Sequence, residues 1–237
     1  MKTLVITPTY NESGNIRGAV SRLFAENPDV DLLIVDDSSP DGTGEIADEL
    51  AKADKRIDVL HRKGKDGLGA AYIAGFNWAF TKDYDFIVEM DADGSHRAQD
   101  LPLLLAAAVD NELVIGSRYV RGGRTQNWPF HRQLLSRGGN LYARMMLGGK
   151  LNDMTAGFRV FRTSFLKSLD LSTINARGYS FQIEMAYKTL QAGVRTAEVP
   201  ITFVEREIGD SKMSSDIVRE ALILMTKLGI RRITRRG

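Results

Sequence analysis

The sequence predicts an α/β protein with an open, mostly parallel sheet, helices on both faces of the sheet and an amphipathic helix at the C-terminus. Short apolar runs rich in Val, Ile and Leu recur through the first half, and segments with the 3.6-residue period of a helix lie between them. Strands that alternate with helices in this way pair in parallel. With 237 residues, 43% of them hydrophobic, the chain is long enough to bury a substantial core.

The first half contains five predicted strands, each followed by a polar turn, and four predicted helices between them. The strands cover residues 3–7, 31–37, 57–61, 85–91 and 112–117. The helices cover residues 15–26, 42–53, 68–81 and 99–109. At residue 118 this alternation stops and a stretch rich in Arg and Gly begins.

The second half predicts a further elaboration of the same sheet. Helices are expected over 133–147 and 181–192, and strands over 157–162 and 195–204. No linker rich in Pro or Ser divides the chain, so we predict one domain over 1–237. A last helix over 214–233 places Ile217, Ala221, Leu224 and Leu228 on one face, followed by a basic end. This pattern fits a helix packed on the core with a solvated tail, or a helix lying on an anionic membrane surface.

The composition excludes several classes of function. A formal net charge of +2 is too small for a protein that coats nucleic acid by bulk electrostatics, so we predict no nucleic-acid partner. The absence of Cys rules out disulfides and thiolate chemistry, and three His residues make a multi-histidine metal site improbable. No signal-peptide core or apolar run of about 18 residues is present, which indicates a soluble or membrane-peripheral protein.

One acidic triplet is placed to do chemistry. Asp91-Ala92-Asp93 follows an apolar strand, at the carboxyl end where open α/β sheets bind ligands. The other two Asp-x-Asp triplets precede their strands. Two such carboxylates can hold Mg²⁺ or Mn²⁺ together with substrate phosphate oxygens. The first strand ends at residues 8–12 and the second at Asp36-Asp37, so acidic and aromatic side chains meet at the same edge of the sheet. A nucleotide fits an edge of this composition.

A basic stretch follows the fifth strand. Residues 113–152 contain seven Lys and Arg residues and no acidic residue. Arginine is suited to phosphate recognition, and the helix predicted in this stretch also carries Leu, Met and Tyr. A phosphate linked to a long hydrocarbon matches both properties; a solvated basic face over ordinary core residues is the alternative.

At this point the chain resembles the family-2 inverting glycosyltransferases, and within them the dolichol and polyprenol phosphate mannose synthases. The matching segments follow the family order over nearly the whole chain. They are 8–12, 35–43, 67–69, 90–93, 116–119, 153–159, 178–184 and 198–201, then Phe203, Arg206, Gly209, Ser211 and Lys212.

The resemblance implies a nucleotide-diphospho-sugar transferase fold of the GT-A type, a GDP-mannose donor and a polyprenyl or dolichyl monophosphate acceptor. It implies a nucleotide-sugar half over 1–117, an acceptor half over 118–213 and the basic helix and tail over 214–237. The positions that match donor-binding residues are Pro8, Tyr10, Glu12, Val35, Asp37, Asp91, Ala92, Asp93, Arg206 and Lys212. Asp91 and Asp93 match the metal motif, and Ser95 stands where other members often have Gln as a third ligand.

Arg118 and Arg132 match positions that hold the acceptor phosphate, and Asp93 and Arg118 are the expected catalytic residues. We therefore predict peripheral association with the cytoplasmic face of a membrane, directly or through a membrane-protein partner. Alternatives remain open from the residues: a polyprenyl-phosphate glucosyltransferase that uses UDP-glucose, a metal-dependent sugar nucleotidyltransferase, or a nucleotide or lipid sensor without turnover.

Overall fold

A seven-stranded sheet forms the centre of the computed structural model, which describes residues 1–174, 179–205 and 215–234. Its strand order is β3-β2-β1-β4-β7-β5-β8, and β7 runs antiparallel to both of its neighbours. A separate pair, β6 and β9, lies outside this sheet. The strands are β1 (Thr3–Thr9), β2 (Val30–Asp36), β3 (Ile57–His61), β4 (Phe86–Glu89), β5 (Leu113–Ser117), β6 (Arg124–Gln126), β7 (Arg159–Arg162), β8 (Thr196–Pro200) and β9 (Thr202–Val204).

Helices cover both faces of the sheet, as the sequence predicts. They are α1 (Ile16–Glu26), α2 (Thr43–Ala53), α3 (Leu68–Ala79), α4 (Leu101–Ala108), α5 (Phe130–Leu147), α6 (Thr163–Ser168), α7 (Tyr179–Ala192) and α8 (Ser215–Thr234). Alternate β1 residues point to opposite sides, so Val5 packs with α1, α2 and α4, and Leu4 and Ile6 pack with α3 and α7. The predicted open, mostly parallel α/β sheet is confirmed.

The second half differs from the prediction in three places. The strand expected over 195–204 is divided at Ile201, whose N–H donates to Ser117 O, and β9 leaves the main sheet to pair with β6. Neither β6 nor the short helix α6 was predicted, because segments of three and six residues give no clear period. The antiparallel direction of β7 was also not predicted; it depends on pairing with two strands that are distant in sequence.

Helix α8 packs on α5 and α7 through the face that the sequence indicates, with Ala221, Met225 and Leu228 buried. Gly229 permits close approach, because a Cβ there would lie 2.6 Å from the Met146 side chain. At the end of α5, Gly148 adopts a φ of +67°, and the Arg232 guanidinium donates to Met146 O. None of the helices in the described ranges combines the length and apolarity that a membrane span requires.

Candidate active site

The carboxyl ends of β1 and β2 form a hydrogen-bonded ledge. Asp36 ends β2 and accepts hydrogen bonds from the Thr9 hydroxyl (2.9 Å) and from the backbone N–H of Ser39 (3.0 Å). Asn11 and Ser38 both have a φ of +59°, which turns the chain sharply after each strand. Asn adopts a positive φ more readily than other non-glycine residues, but at Ser38 this conformation is uncommon, and the hydrogen bond from the Ser39 N–H to Asp36 holds the turn there.

A second set of bonds joins the loops after these strands. The Asp41 carboxylate accepts the backbone N–H groups of Ser13 and Thr43, both at 3.1 Å, and the Thr43 hydroxyl at 2.6 Å. Burial by itself raises the pKa of Asp41, but these hydrogen bonds outweigh it and lower the pKa to about 2. The Glu12 N–H donates to Thr43 Oγ1, so both loops are fixed to the start of α2.

The predicted donor residues of β1 and β2 take different places at this edge. Pro8 and Tyr10 are half-buried, with Lys65 Nζ 3.8 Å from the centre of the Tyr10 ring. Asp37 pairs with Arg62; burial raises the pKa of this carboxyl, although the Arg62 charge acts in the opposite direction. The Val35 side chain is fully buried in the core, beneath the ledge.

The acidic triplet starts the loop after β4, between β1 and β7 in the sheet. Asp93 Oδ1 accepts the Ser95 N–H at 3.0 Å, and Gly94 between them has a φ of +77°. The Asp91 N–H donates to His96 Nδ1 at 3.0 Å, and that ring stacks on Phe158. His96 Nδ1, which accepts this hydrogen bond, also lies 3.9 Å from the Asp91 carboxylate.

The oxygen atoms that this loop offers as ligands suit a hard divalent cation. Asp91 and Asp93 supply carboxylate oxygens, and buried Ser95 Oγ makes no hydrogen bond within the described part of the chain. No group of three or more His, Asp or Glu side chains forms a complete metal cage among the described residues. Mg²⁺ is usually bound by one or two carboxylates, and substrate oxygens take other coordination positions. The residues of this loop therefore fit the ion.

A buried polar cluster lies directly below the triplet. Glu89, Arg159 and Gln182 are 0 to 2% exposed, and Tyr72 donates from its hydroxyl to Asp91 Oδ1 at 3.4 Å. Burial raises the pKa of Glu89 to about 7, against the charge of Arg159, which favours the carboxylate. Burial and the Asp91 charge also raise the pKa of Tyr72, which keeps its hydroxyl as a donor to Asp91.

Arg118 is held in place by a buried carboxylate. Its Nε and Nη2 donate to Asp153 at 2.7 and 2.6 Å, and Nη2 also donates to Thr155 at 2.8 Å. Burial by itself raises the pKa of Asp153, but the Arg118 charge and hydrogen bonds outweigh it and lower the pKa. Arg132, from the first turn of α5, pairs with Glu205.

Two neighbouring cavities meet at these arginines. A narrow cavity of about 50 Å³ is lined by Asp91, Asp93 and Ser95 together with Arg118 and Arg132. A wider groove of about 580 Å³ is lined mainly by apolar side chains of α5 and α8. Arg118, Arg132 and Thr155 line both cavities. The structure therefore places an acidic triplet, two arginines and an apolar groove in one continuous site.

The model for glycosyl transferase family 2 matches residues 4–170 of this chain, which include β1 to β7, the acidic triplet and Arg118. The chain belongs to glycosyl transferase family 2. The match to the family model ends at residue 170, before α7 and α8. It therefore does not include the α8 residues that line the apolar groove.

Two family-2 relatives match almost from end to end. An undecaprenyl-phosphate mannosyltransferase from Micrococcus luteus is 52% identical over 97% of this chain and 95% of its own length. A polyprenol monophosphomannose synthase from Mycolicibacterium smegmatis is 50% identical over 97% of this chain and 88% of its own. Among solved structures, a Pyrobaculum calidifontis mannosyltransferase in complex with GDP-Man and Mn²⁺ shares the fold, with a TM-score of 0.56 and 16% identity over 99% and 74% of the two chains.

Several residues of this family-2 site were not predicted from the sequence. Asp153 belongs to the matching segment 153–159, but the sequence gives it no role, and Glu89 and Arg159 fall within predicted strands. A charged residue at the end of an otherwise apolar strand was the available signal for Glu89, whereas β7 carries an arginine at each end and gave no such signal for Arg159. Of the predicted residues, Arg206 and Lys212 lie outside the described residues. Ala92, between the two aspartates, is 3% exposed.

Proposed function

We propose that this chain transfers mannose from GDP-mannose to a polyprenyl monophosphate, which gives polyprenyl phosphomannose and GDP with inversion at the anomeric carbon. The observation that carries the proposal is the junction of the two cavities at Arg118 and Arg132. An acceptor with a phosphate head and a hydrocarbon tail fits this junction: the head at the arginines and the first prenyl units in the groove.

The acceptor head fits the charges at the junction. Arginine binds phosphate oxygens through paired N–H donors, and Arg132 lies beside Trp128, 4.2 Å from its ring centre to the guanidinium carbon. Glu205 forms an ion pair with Arg132. We infer that the acceptor phosphate replaces Glu205 as the anion on Arg132, while Arg118 stays anchored to Asp153.

The proposed reaction requires no general base. A phosphate monoester carries about −1.5 to −2 charge at pH 7, so its oxygen can attack carbon 1 of mannose without first losing a proton. The bond from carbon 1 to the GDP oxygen breaks with its electron pair, and GDP leaves. The main obstacle is repulsion between the acceptor phosphate and the donor diphosphate, and the two arginines reduce it by holding the acceptor in line.

We assign Asp91, Asp93 and Ser95 to a Mg²⁺ or Mn²⁺ site. When bound, such an ion neutralises the negative charge of the leaving diphosphate. The chain itself orients Asp91 through the Tyr72 hydroxyl and the His96 ring, and orients Asp93 through the Ser95 N–H. Pro8, Tyr10, Glu12 and Asp37, with Val35 beneath them, belong in this proposal to the nucleotide side; Arg206 and Lys212 are assigned there on the resemblance alone.

The identity of the sugar and acceptor rests on the two relatives, whose names specify mannosyl transfer and polyprenyl phosphate. The Pyrobaculum calidifontis neighbour supports GDP-mannose as a donor that the fold accommodates. In the part of the site that the structure describes, no feature favours a UDP-glucose donor or a nucleotidyl transfer. We propose one domain over 1–237 for this activity.

We also propose that the protein docks peripherally on a membrane through α5 and α8. Both helices expose apolar side chains next to the groove: Phe130, Leu134, Leu135, Leu141 and Met145 on α5, and Leu222, Ile223, Ile230 and Ile233 on α8. An exposed apolar face of this kind, flanked by basic residues, is typical of helices that lie in the membrane interface. Its cytoplasmic side and any membrane-protein partner stay predictions.

A transfer assay tests the proposal. Purified protein, labelled GDP-mannose, Mg²⁺ or Mn²⁺ and a short polyprenyl phosphate are mixed in non-ionic detergent, and label in the organic phase is counted. We expect metal-dependent transfer of mannose that is accompanied by release of GDP. We expect no transfer of sugar from UDP-glucose. Release of pyrophosphate would indicate a nucleotidyltransferase, and binding of GDP-mannose without transfer to polyprenyl phosphate would contradict the proposed acceptor.

A further inference from the structure

A third cavity, which the proposed reaction does not use, lies on the opposite flank of α5. It has a volume of about 340 Å³, within the range of small-molecule sites. Its lining includes Arg137, Arg144 and Leu141 of α5, and Tyr119 of the loop after β5. Arg132, which lines the acceptor groove, lies on a different side of the helix, because residues five positions apart are separated by about 140° around the helix axis.

The lining of this cavity is positively charged. Among the described residues that line it, none is acidic. Arg118 is also in the lining, but Asp153 compensates its charge. Glu198 accepts hydrogen bonds from the backbone N–H and side chain of Asn152, a lining residue, both at 2.8 Å, so this carboxylate offsets part of the positive charge. Arg137 and Arg144 are therefore the source of the cavity's net charge.

The two arginines are held in orientations that face the same opening. Arg144 donates to Asn152 Oδ1 at 3.0 Å, and the Arg137 guanidinium lies 5.7 Å from the Tyr119 ring centre. They are seven residues apart, two turns of helix, so they share one side of α5. Such a pair can bind the oxygens of one phosphate group from two directions.

The cavity opens beside the apolar face of α5. Leu141 lines the cavity and is 57% exposed, and it belongs to the exposed stripe with Phe130, Leu134 and Met145. When such a stripe is buried at the boundary of the acyl chains, basic side chains on its flank reach the level of the lipid phosphates. The cavity thus lies where the headgroups of a membrane would be.

We infer that the cavity between Arg137, Arg144 and Tyr119 binds the phosphate of an anionic phospholipid and so orients the enzyme on the bilayer. The inference rests on the proposed membrane docking through α5 and α8. It assigns Arg137 and Arg144 to the bulk lipid, and it leaves Arg132 and Arg118, which lines this cavity as well as the acceptor groove, to the acceptor phosphate. Each basic residue near an anionic surface contributes about 1 kcal/mol, so two residues correspond to about a 30-fold change in binding.

Sedimentation with vesicles tests this inference. The full chain is compared on neutral phosphatidylcholine vesicles and on vesicles that contain about a third phosphatidylglycerol, as wild type and as Arg137→Gln/Arg144→Gln. The matched control is Lys52→Gln/Lys55→Gln, which removes the same charge from exposed positions at the end of α2 and just after it. We expect the control to keep the wild-type preference for anionic vesicles, and the arginine variant to bind them about 10- to 30-fold more weakly.

Four results would overturn the inference: an equal loss in both variants, no loss in the arginine variant, no preference of the wild type for anionic vesicles, or loss of that preference in millimolar inorganic phosphate at constant ionic strength. Turnover in non-ionic detergent separates this test from the proposed function. There we expect the arginine variant to keep the wild-type KM for polyprenyl phosphate; a raised KM would make the cavity an acceptor subsite. If the wild type were inactive in detergent, that result would contradict the proposed function and not the inference about lipid binding.

Discussion

Arg118 and Asp153 form a buried ion pair with two parallel hydrogen bonds, 35 residues apart in sequence, at the point where the two cavities meet. The Asp153 carboxylate also accepts the Arg118 backbone N–H at 2.9 Å, and Asn140 of α5 donates to its Oδ1 at 3.4 Å. The pair therefore links the end of β5, the helix on the acceptor side and the segment before β7. These hydrogen bonds hold the Arg118 guanidinium in one orientation.

We expect Asp153→Asn to lower the free energy of unfolding by about 3–5 kcal/mol, because it leaves Arg118 as a buried charge without a counter-ion. Urea denaturation at pH 7 measures this loss. The double variant Arg118→Met/Asp153→Leu should recover much of the stability and remain inactive, since no buried charge remains and the acceptor site is gone. A loss below about 1 kcal/mol in Asp153→Asn would show that the pair is solvated.

Asp93→Ala should reduce kcat/KM for mannose transfer by about two to four orders of magnitude, because the leaving diphosphate loses metal-assisted charge neutralisation worth several kcal/mol. Initial rates over a Mn²⁺ titration measure the effect. Asp83→Ala is the matched control, since Asp83 belongs to an Asp-x-Asp triplet that precedes its strand and is exposed. Both variants should melt near the wild-type temperature. Wild-type turnover in Asp93→Ala would remove this residue from the metal site.

Ala221→Trp tests the groove as the place of the prenyl chain. Ala221 is 9% exposed and lines the groove from α8, so an indole there occupies the space assigned to the first prenyl units. We expect the KM for polyprenyl phosphate to rise more than about 10-fold, which corresponds to a loss of about 1.4 kcal/mol of apolar contact. The affinity for GDP-mannose, measured by calorimetry, should not change. Ala53→Trp, at an exposed position that ends α2, should behave as wild type in both measurements.

Asp41 gives the donor edge a pH dependence. Its pKa in the folded protein is about 2, below the ordinary value of 3.8, so the carboxylate stabilises the fold at neutral pH and loses this effect as the pH falls through 2. We expect Asp41→Asn to melt about 2–4 °C below wild type at pH 6, a small effect because the side chain is exposed to solvent. The difference should shrink between pH 4 and pH 2.

Calorimetric melting curves at these pH values provide the check. Asp110→Asn, at an exposed position after α4, serves as the control and should follow wild type throughout. A constant difference between wild type and Asp41→Asn from pH 6 to pH 2 would contradict the assigned role of the carboxylate.

The first half of the fold could be predicted from the sequence because its signals are local. The strands β1, β2, β4 and β5 are mostly buried apolar runs, and β3 is a half-exposed edge strand. Each intervening helix has one buried stripe, and right-handed parallel crossovers leave few alternatives for the strand order. The same local pattern placed Asp91 and Asp93 after a strand rather than before one. That placement, not the triplet itself, indicated a metal site.

The second half depended on contacts that no local pattern encodes. β7 is a four-residue strand with an arginine at each end, and it runs antiparallel where it pairs between β4 and β5. The exposed stripe of α5 was predicted to be either core or interface, and only packing against α8 settled which side chains are buried. Arg118 was expected to meet a phosphate, whereas its partner Asp153 could not be paired with it from sequence spacing.

By itself, then, the sequence determined the α/β class, the acidic edge and the basic stretch, since each depends on residues that are neighbours along the chain. Tertiary structure alone decided that Asp153 holds Arg118, that Arg132 meets Glu205, and that the acidic cavity opens into an apolar groove between α5 and α8. The reason is physical: an ion pair or a cavity wall requires groups from distant segments to meet. That meeting is fixed by how the helices pack on the sheet and not by the spacing of any motif.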